Sequence, residues 1–296
     1  MGIKKHLVII LVLTLSIGIL LTGCGKQSPK QRFMEALEKS QEINTYYMKG
    51  NIKLNLSFPE NGLNFKNRQM YQFLKDLNIN IEGRTQKEPA LSIMDLTIRF
   101  SGVNFDVQIY TKNAEMWMKL PMISSYLYID DYAATGQMGE MFDNKLAKKV
   151  IDSLDDDSFI MEKGITLENN IKTDVITLNL KNGELKNAMR AMMTILDSAE
   201  LIKTLERFEK NMKTENLELK FYLDNNSNIR REEINGKLTI DDEENPEKKI
   251  AIDVYGIFDI SEINRKMEFE FPDFEKEQVV PMKSNNLPTL SKVGKF

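Results

Sequence analysis

The chain has 296 residues, with 40 Lys and Arg against 44 Asp and Glu and a formal net charge of −4. Its content of 42% hydrophobic and 28% charged residues is that of an ordinary globular protein, which excludes disordered, collagen-like and disulfide-rich chains. There is one cysteine, Cys24, and one histidine, His6, and both lie near the N-terminus.

The N-terminus has the pattern of a bacterial export signal. Lysines at positions 4 and 5 precede an apolar stretch, Leu7 to Leu21, which at about fifteen residues is short for a membrane span. The following Leu-Thr-Gly-Cys sequence, which ends at Cys24, resembles the lipobox of bacterial lipoproteins. The resemblance implies cleavage of residues 1–23 and attachment of a diacylglycerol to the Cys24 thiol. The alternative is an uncleaved signal anchor with an incidental cysteine.

Cleavage would leave 273 residues, and because two lysines would be lost, the net charge would become −6. Such an acidic chain lacks the clustered excess of Lys and Arg that nucleic-acid binding requires, so we predict no nucleic-acid partner. Residues 24–28 would tether the first helix to the outer face of the cell membrane, and residues 25–28 span about 15 Å when extended. Two acyl chains suffice for stable anchoring.

Catalytic chemistry is restricted by the missing side chains. Without His or a second Cys in the mature chain, Ser-His-Asp sites, Cys-His sites and the commonest zinc sites cannot form. The acidic run Asp155–Asp157 lacks the ligand alternation of a calcium loop and is typical of a solvated loop. A pair of carboxylates that hydrolyses glycosidic bonds is an alternative that the composition allows. The neighbours Glu232 and Glu233 should not form such a pair, because they should point to opposite sides of a strand. We predict a protein that is not an enzyme and has no cofactor or metal.

Periodicity predicts a mostly antiparallel β protein with helices. Ser28 should cap a first helix from Pro29 to Ile43. Apolar and polar residues alternate from Tyr46 to Phe58, which predicts a long strand with one solvent-exposed side. The same alternation predicts strands at Leu77–Gly83, Met94–Phe100, Val103–Ile109, Met116–Leu120, Tyr126–Ile129, Ile171–Leu180, Leu217–Leu223, Ile234–Ile240, Ile250–Ile260 and Met267–Phe271. Further helices are expected over residues 136–154 and 184–211. Residues 59–76 are interpreted as an inserted amphipathic helix that could serve as a lid.

These elements predict an α+β fold built on a single curved antiparallel sheet of about eleven strands, with the helices covering its concave face. No Gly-, Ser- or Pro-rich linker interrupts residues 29–272, so we expect one domain there. Residues 273–296 are expected to form a C-terminal tail without regular structure.

The order of elements resembles the lipoprotein-carrier superfamily, which includes the Lol carriers, mycobacterial lipoproteins of the LprG and LppX kind, and the sigma-factor regulator RseB. The late strand pair, Lys220–Asp224 followed by Ile229–Arg231, is similar to a strand pair of that family. Residues Tyr46–Gly50 also resemble a strand of an uncharacterised group of Gram-positive lipoproteins. The resemblance implies an unclosed half-barrel whose concave cavity binds acyl chains, glycolipids or lipoproteins. The basic residue with which Lol carriers handle lipoproteins has no counterpart here.

Candidate cavity residues follow from the strand and helix faces. Flexible methionines could line a cavity that adapts to acyl chains, or they could simply fill the core. The candidates are Ile52, Leu54, Leu56, Met94, Leu96, Met116, Met118, Met138, Phe142, Met189, Met192, Met193 and Leu196. Aromatic residues that could flank the mouth, or serve as ordinary packing residues, are Trp117, Tyr126, Tyr128 and Tyr132.

The sequence therefore favours a membrane-anchored, extracytoplasmic protein that binds a lipid or another hydrophobic ligand, with lipid or lipoprotein transport as one role. The alternative is a sensor or protein-interaction module of the same fold, filled by its own side chains. The sequence names neither the ligand nor a protein partner.

Overall fold

The computed structural model describes residues 27–57, 75–129, 144–193, 199–241 and 249–281. The helices are α1 (Pro29–Ser40), α2 (Asn144–Asp152), α3 (Asn182–Met193) and α4 (Ala199–Asn211), and a 3-10 turn covers Asp156–Ser158. The strands are β1 (Thr45–Ser57), β2 (Asp76–Gln86), β3 (Leu91–Phe100), β4 (Val103–Lys112), β5 (Glu115–Lys119), β6 (Tyr126–Ile129), β7 (Phe159–Thr166), β8 (Lys172–Asn179), β9 (Met212–Leu223), β10 (Ile229–Asp241), β11 (Lys249–Ser261) and β12 (Val279–Pro281).

All twelve strands belong to one sheet in the order β12-β6-β5-β4-β3-β2-β1-β11-β10-β9-β8-β7. Neighbouring strands are antiparallel except β12, which lies parallel to β6. The sheet is curved and does not close, and the helices lie on its concave face. This arrangement confirms the predicted fold class of an unclosed half-barrel.

Three strand assignments differ from the sequence prediction. Strand β7 has no counterpart among the predicted strands, because its polar run Glu162–Gly164 interrupts the alternation. The predicted strand Met267–Phe271 is not a strand, although its residues alternate. The tail, expected to lack regular structure, contains β12, which is too short to produce a periodic signal. The predicted lid, residues 59–76, lies almost entirely outside the described residues, as does the signal segment with Cys24.

Register places opposite residues of neighbouring strands on the same face of the sheet. From β1 toward β4, Ile52 lies opposite Ile79, which lies opposite Ile98. From β1 toward β10, Ile52 lies opposite Gly256, which lies opposite Ile234. One apolar face therefore runs across the sheet, as the two-residue period predicts.

The largest buried core among the described residues lies where the helices meet β7 to β10. Phe33 of α1 packs against Phe221 of β9 with ring centroids 4.4 Å apart, and against Phe159 of β7 at 6.1 Å. Other buried members of this cluster are Ala36, Ile151, Leu154, Ile176, Leu178, Leu180, Ala188, Leu217, Leu223 and Ile229. Burial of apolar surface at about 25 cal/mol per Å² holds the helices to this half of the sheet.

Polar contacts fix the position of α1. Ser28 caps the helix as predicted, because its hydroxyl accepts a hydrogen bond from the Gln31 backbone N–H. Lys30 donates to the Leu154 carbonyl at 2.7 Å, and Arg32 donates to the Ser227 hydroxyl in the turn between β9 and β10. The first helix is thus joined both to the segment after α2 and to the β9–β10 turn.

Asp224 closes the β9–β10 turn. Its carboxylate accepts hydrogen bonds from the backbone N–H groups of Asn226 and Asn228, at 2.8 and 2.9 Å, and from Nε of Arg230 at 2.7 Å. Burial raises the pKa of Asp224, but the bonds from Asn228, Arg230 and Asn226 outweigh burial and hold the pKa below its ordinary value. The strand pair that carries the family resemblance is therefore built around a turn-closing carboxylate.

None of the helices in the described ranges is long and apolar enough to cross a membrane.

Replacement of Asp224 by Ala should lower the free energy of unfolding by about 3 kcal/mol, because it leaves Arg230 and two turn N–H groups without their acceptor. Asp156→Ala is the matched control, since Asp156 is 77% exposed in its ion pair with Lys30 and should contribute less than about 1 kcal/mol. Urea unfolding followed by circular dichroism measures both. Equal losses in the two variants would contradict the assigned role.

The stabilisation by the Asp224 charge should depend on pH. Because the folded-state pKa is lowered, the stabilisation is present above the unfolded-state pKa of about 3.9 and is lost as the pH falls through the folded-state value. The difference in unfolding free energy between the wild type and Asp224→Asn should therefore narrow from about pH 6 to about pH 3. Urea unfolding across this range tests it, and a difference that stays constant would show that the charge is not responsible.

Candidate ligand-binding face

The predicted strand residues of the cavity share one face of the sheet. Residues two positions apart on a strand lie on the same side of the sheet. Across the sheet, Met94 lies opposite Gly83 and Ile109, and Ile109 lies opposite Met118. The residues brought together in this way are Ile52, Leu54, Leu56, Met94, Leu96, Met116 and Met118. This face is also the one that carries the helices, because Leu217, opposite Gly236 on β10, belongs to the helix-covered core.

Burial differs along this face. Met116 is buried, as are Val107 and Ile129 near the β6 side of the sheet. The other six predicted strand residues are only partly buried, and so are Ile79 and Ile98 on the same face. A broad apolar surface on β1, β2 and β3 is therefore partly exposed, while the helix-covered core lies beyond β11.

Glycines give this face its local shape. A Cβ atom on Gly50 would lie 2.2 Å from Cδ1 of Phe258, which is the residue opposite it on β11. The Phe258 ring thus lies directly over the β1 backbone, where only glycine leaves room for it. The ring turns toward β1 and forms part of the apolar surface of the central strands.

The predicted helix residues divide into three groups. Met189 is buried on α3, beside the core residue Ala188, and Met193 is partly buried at the end of the same helix. Met192 lies on α3, but its side chain is outside the described part of the structure. Met138, Phe142 and Leu196 lie outside the described residues altogether. Of the helix residues, Met189 therefore has the burial of a core side chain.

Three of the aromatic residues considered for the cavity mouth lie on the opposite, convex face, namely Trp117, Tyr126 and Tyr128. Trp117 is opposite Tyr110 and Tyr128, one residue out of phase with Met116 and Met118. Phe274, from the segment after β11, stacks on Trp117 with centroids 4.3 Å apart and rings inclined by 4°. It also meets Tyr126 edge-on at 5.3 Å. These aromatics are therefore packing residues beneath the C-terminal segment, and Tyr132 lies outside the described residues.

The C-terminal segment explains why Met267–Phe271 is not a strand. Arg84 of β2 donates a hydrogen bond to the Glu268 carbonyl at 2.8 Å, and Phe271 packs against Tyr110 with centroids 6.2 Å apart. Side chains rather than a backbone ladder hold this stretch to the convex face. It then leads into β12, where Val279 lies beside Tyr126.

Glu232 was not among the predicted site residues, but it belongs to the concave face. On β10 it lies opposite Phe221 of β9 and Phe258 of β11, and Ile234 follows two residues later on the same side. Burial raises the pKa of Glu232. Glu233 lies on the convex side, opposite Lys220, as expected for neighbours on a strand. Extending the alternation of Ile234, Gly236 and Leu238 back by two residues would have identified Glu232.

A polar cleft of about 640 Å³ lies between α1 and the β9–β10 turn. Its cations are engaged within the protein, because Arg32 pairs with Glu35 at 3.1 Å and Arg230 pairs with Asp224 at 2.7 Å. The cleft is thus part of the network that docks α1. In the part of the chain that the structure describes, no group of three His, Cys, Asp or Glu residues could hold a metal ion.

Comparisons with known proteins give distant likenesses. No family model matches the chain, and no curated protein matches it. Among solved structures, it is similar to a DUF1329 family protein from Desulfovibrio piger, with 9% identity and a TM-score of 0.26 over 84% of this chain and 98% of that chain. It is also similar to lipovitellin, in a structure concerned with lipid–protein interactions, with 8% identity and a TM-score of 0.25. That match covers 77% of this chain but only 26% of the lipovitellin chain. Likenesses of this degree assign neither a ligand nor an activity.

Proposed function

We propose that the mature chain is an extracytoplasmic lipoprotein, anchored to the membrane through a diacylglyceryl group on Cys24, that binds a lipid or another hydrophobic ligand on the concave face of its sheet. The protein holds or transfers this ligand without catalysing a reaction. The observation that supports the proposal is the apolar surface of β1 to β3, which is contiguous and only partly buried.

The shape of this surface suits an elongated apolar ligand. The row Ile52, Ile79, Ile98 crosses three strands, and with Phe105 on β4 it spans about 14 Å at about 4.8 Å per strand. All four side chains are partly exposed. Covering such a surface with hydrocarbon removes it from water and is favourable at about 25 cal/mol per Å².

Methionines make the surface adaptable. Met48 is joined through Gly83 to Met94, and Met94 through Ile109 to Met118, along one row. Unbranched thioether side chains change rotamer at low cost and follow the shape of flexible partners. This composition favours a ligand with mobile acyl chains over a rigid planar one.

The position of α1 is consistent with a membrane-anchored carrier. Ser28, which ends the predicted tether, caps α1, and Arg32 and Lys30 dock the helix to the helix-covered half of the sheet. The partly exposed apolar surface on β1 to β3 belongs to the other half. A lipid anchor at Cys24 would therefore hold the protein by the packed half and leave the apolar surface available.

Substitution of Leu96 by Trp should weaken binding of the apolar fluorophore N-phenyl-1-naphthylamine about tenfold, or about 1.4 kcal/mol, because the larger ring occupies the centre of the concave face. Thr97→Trp is the matched control, since Thr97 lies on the convex side of the same strand and should leave binding unchanged. Fluorescence titration of the purified protein measures both. Mass spectrometry of organic extracts from natively purified protein should also detect a bound lipid.

The absence of both a bound lipid and fluorophore uptake would contradict the proposal. It would favour the alternative of a sensor or interaction module whose interior is filled by its own side chains. Equal weakening by Leu96→Trp and Thr97→Trp would indicate that the fluorophore binds elsewhere.

Replacement of Cys24 by Ser should abolish acyl labelling of the protein, because the diacylglycerol is attached to the Cys24 thiol and serine has no thiol. Metabolic labelling with a palmitate analogue followed by electrophoresis tests this. Lys26→Ser, which changes the tether but not the thiol, is the control and should remain labelled. Labelling of Cys24→Ser would contradict the assignment of the anchor.

A further inference from the structure

Glu232 introduces a carboxyl group into an otherwise apolar row of the concave face. The row runs from Gly50 on β1 through Phe258 and Glu232 to Phe221 and Ile176. In the direction of β4, Gly50 is followed by Ile81, Leu96 and Val107. Glu232 thus lies in the same row as Leu96, at the boundary between the helix-covered core and the partly exposed apolar surface.

The carboxyl group has no polar partner within the described ranges. Neither a hydrogen bond nor an ion pair joins it to another residue there, and burial alone raises its pKa. Arg230, two residues before Glu232, is bound to Asp224 through two nitrogens at 2.7 Å. On the convex side of the same sheet the carboxylate of Asp259 does have a partner, because Arg231 donates to it at 2.7 Å.

Two phenylalanines flank Glu232 on the concave face. Phe221 is drawn toward α1 by its contact with Phe33, and the Phe258 ring lies over Gly50 on the other side. Glu232 itself is partly exposed rather than sealed. A carboxylate that is largely removed from water and unpaired is destabilising unless a donor reaches it.

We infer that Glu232 binds the polar head of the ligand, and that the ligand is an amphiphile whose head group is a cationic or hydroxyl hydrogen-bond donor. This inference rests on the proposed function, because it assigns the head-group end of the same site. The acyl chain lies along the row from Glu232 past Phe258 and Ile81 toward Leu96. An ammonium head satisfies the carboxylate best. A fatty acid carboxylate is disfavoured, because it would place a second negative charge against Glu232.

The experiment compares head groups on one chain length. The mature chain with Cys24→Ser, which carries no acyl chains of its own, is loaded with N-phenyl-1-naphthylamine, and the fluorophore is displaced by dodecylamine, dodecanol or dodecanoate. With Glu232 in place, the protein should bind dodecylamine about tenfold or more tightly than dodecanoate. Glu232→Gln should reduce this ratio by about tenfold, whereas Glu233→Gln, with the same change in net charge on the convex face, should preserve it.

The outcomes separate the two proposals. If the fluorophore does not bind the wild-type protein, the proposed function fails. If it binds but Glu232→Gln and Glu233→Gln have the same head-group ratio as the wild type, the proposed function stands and the role of Glu232 is refuted. Urea unfolding checks that Glu232→Gln is folded. If it is not folded, Glu232→Met, which retains the side-chain length without the polar group, replaces it in the same comparison.

Discussion

The organisation of this protein depends on backbone pairing between antiparallel strands. Each paired strand alternates its side chains between two faces. The eleven antiparallel strands in the described ranges therefore produce one continuous apolar face, and the opposite face carries polar residues together with the aromatic cluster around Trp117. The described helices cover mainly the part of that face on β7 to β10, where Phe33, Leu178 and Leu217 are buried. The same pairing also produces the apolar surface on β1 to β3 that these helices do not cover. This partly exposed surface supports a ligand-binding function.

Polar networks determine where the helices lie on this sheet. The Asp224 carboxylate shapes the β9–β10 turn, and Ser227 in that turn receives the Arg32 side chain of α1. The helix that follows the predicted lipid tether is therefore attached to a defined point of the half-barrel. The convex face uses different chemistry, because Phe274 stacks on Trp117 and fastens the C-terminal segment across the strands.

Glu232 connects the fold with the proposed ligand chemistry. Its position follows from the alternation on β10, but its environment depends on Phe221 and Phe258 from two other strands. The contrast with Asp224 is informative, since both carboxylates are removed from water. Asp224 is surrounded by donors that lower its pKa, whereas burial raises the pKa of Glu232. A buried carboxyl group like that of Glu232, which has no hydrogen-bond donor among the described residues, is suited to binding a donor on a ligand.

The sequence by itself determined the strand faces, the Ser28 cap and the fold class, because these depend on local periodicity and on the pairing of neighbours along the chain. It also predicts the Cys24 lipid anchor. Strands β7 and β12 could not be predicted, since an interrupted run and three residues carry too little periodicity. The position of Trp117 beneath Phe274 and the isolation of Glu232 were decided by tertiary structure alone. The first depends on a segment distant in the chain, and the second depends on which side chains come within reach of the carboxyl group in the folded protein. Neither leaves a periodic trace in the sequence.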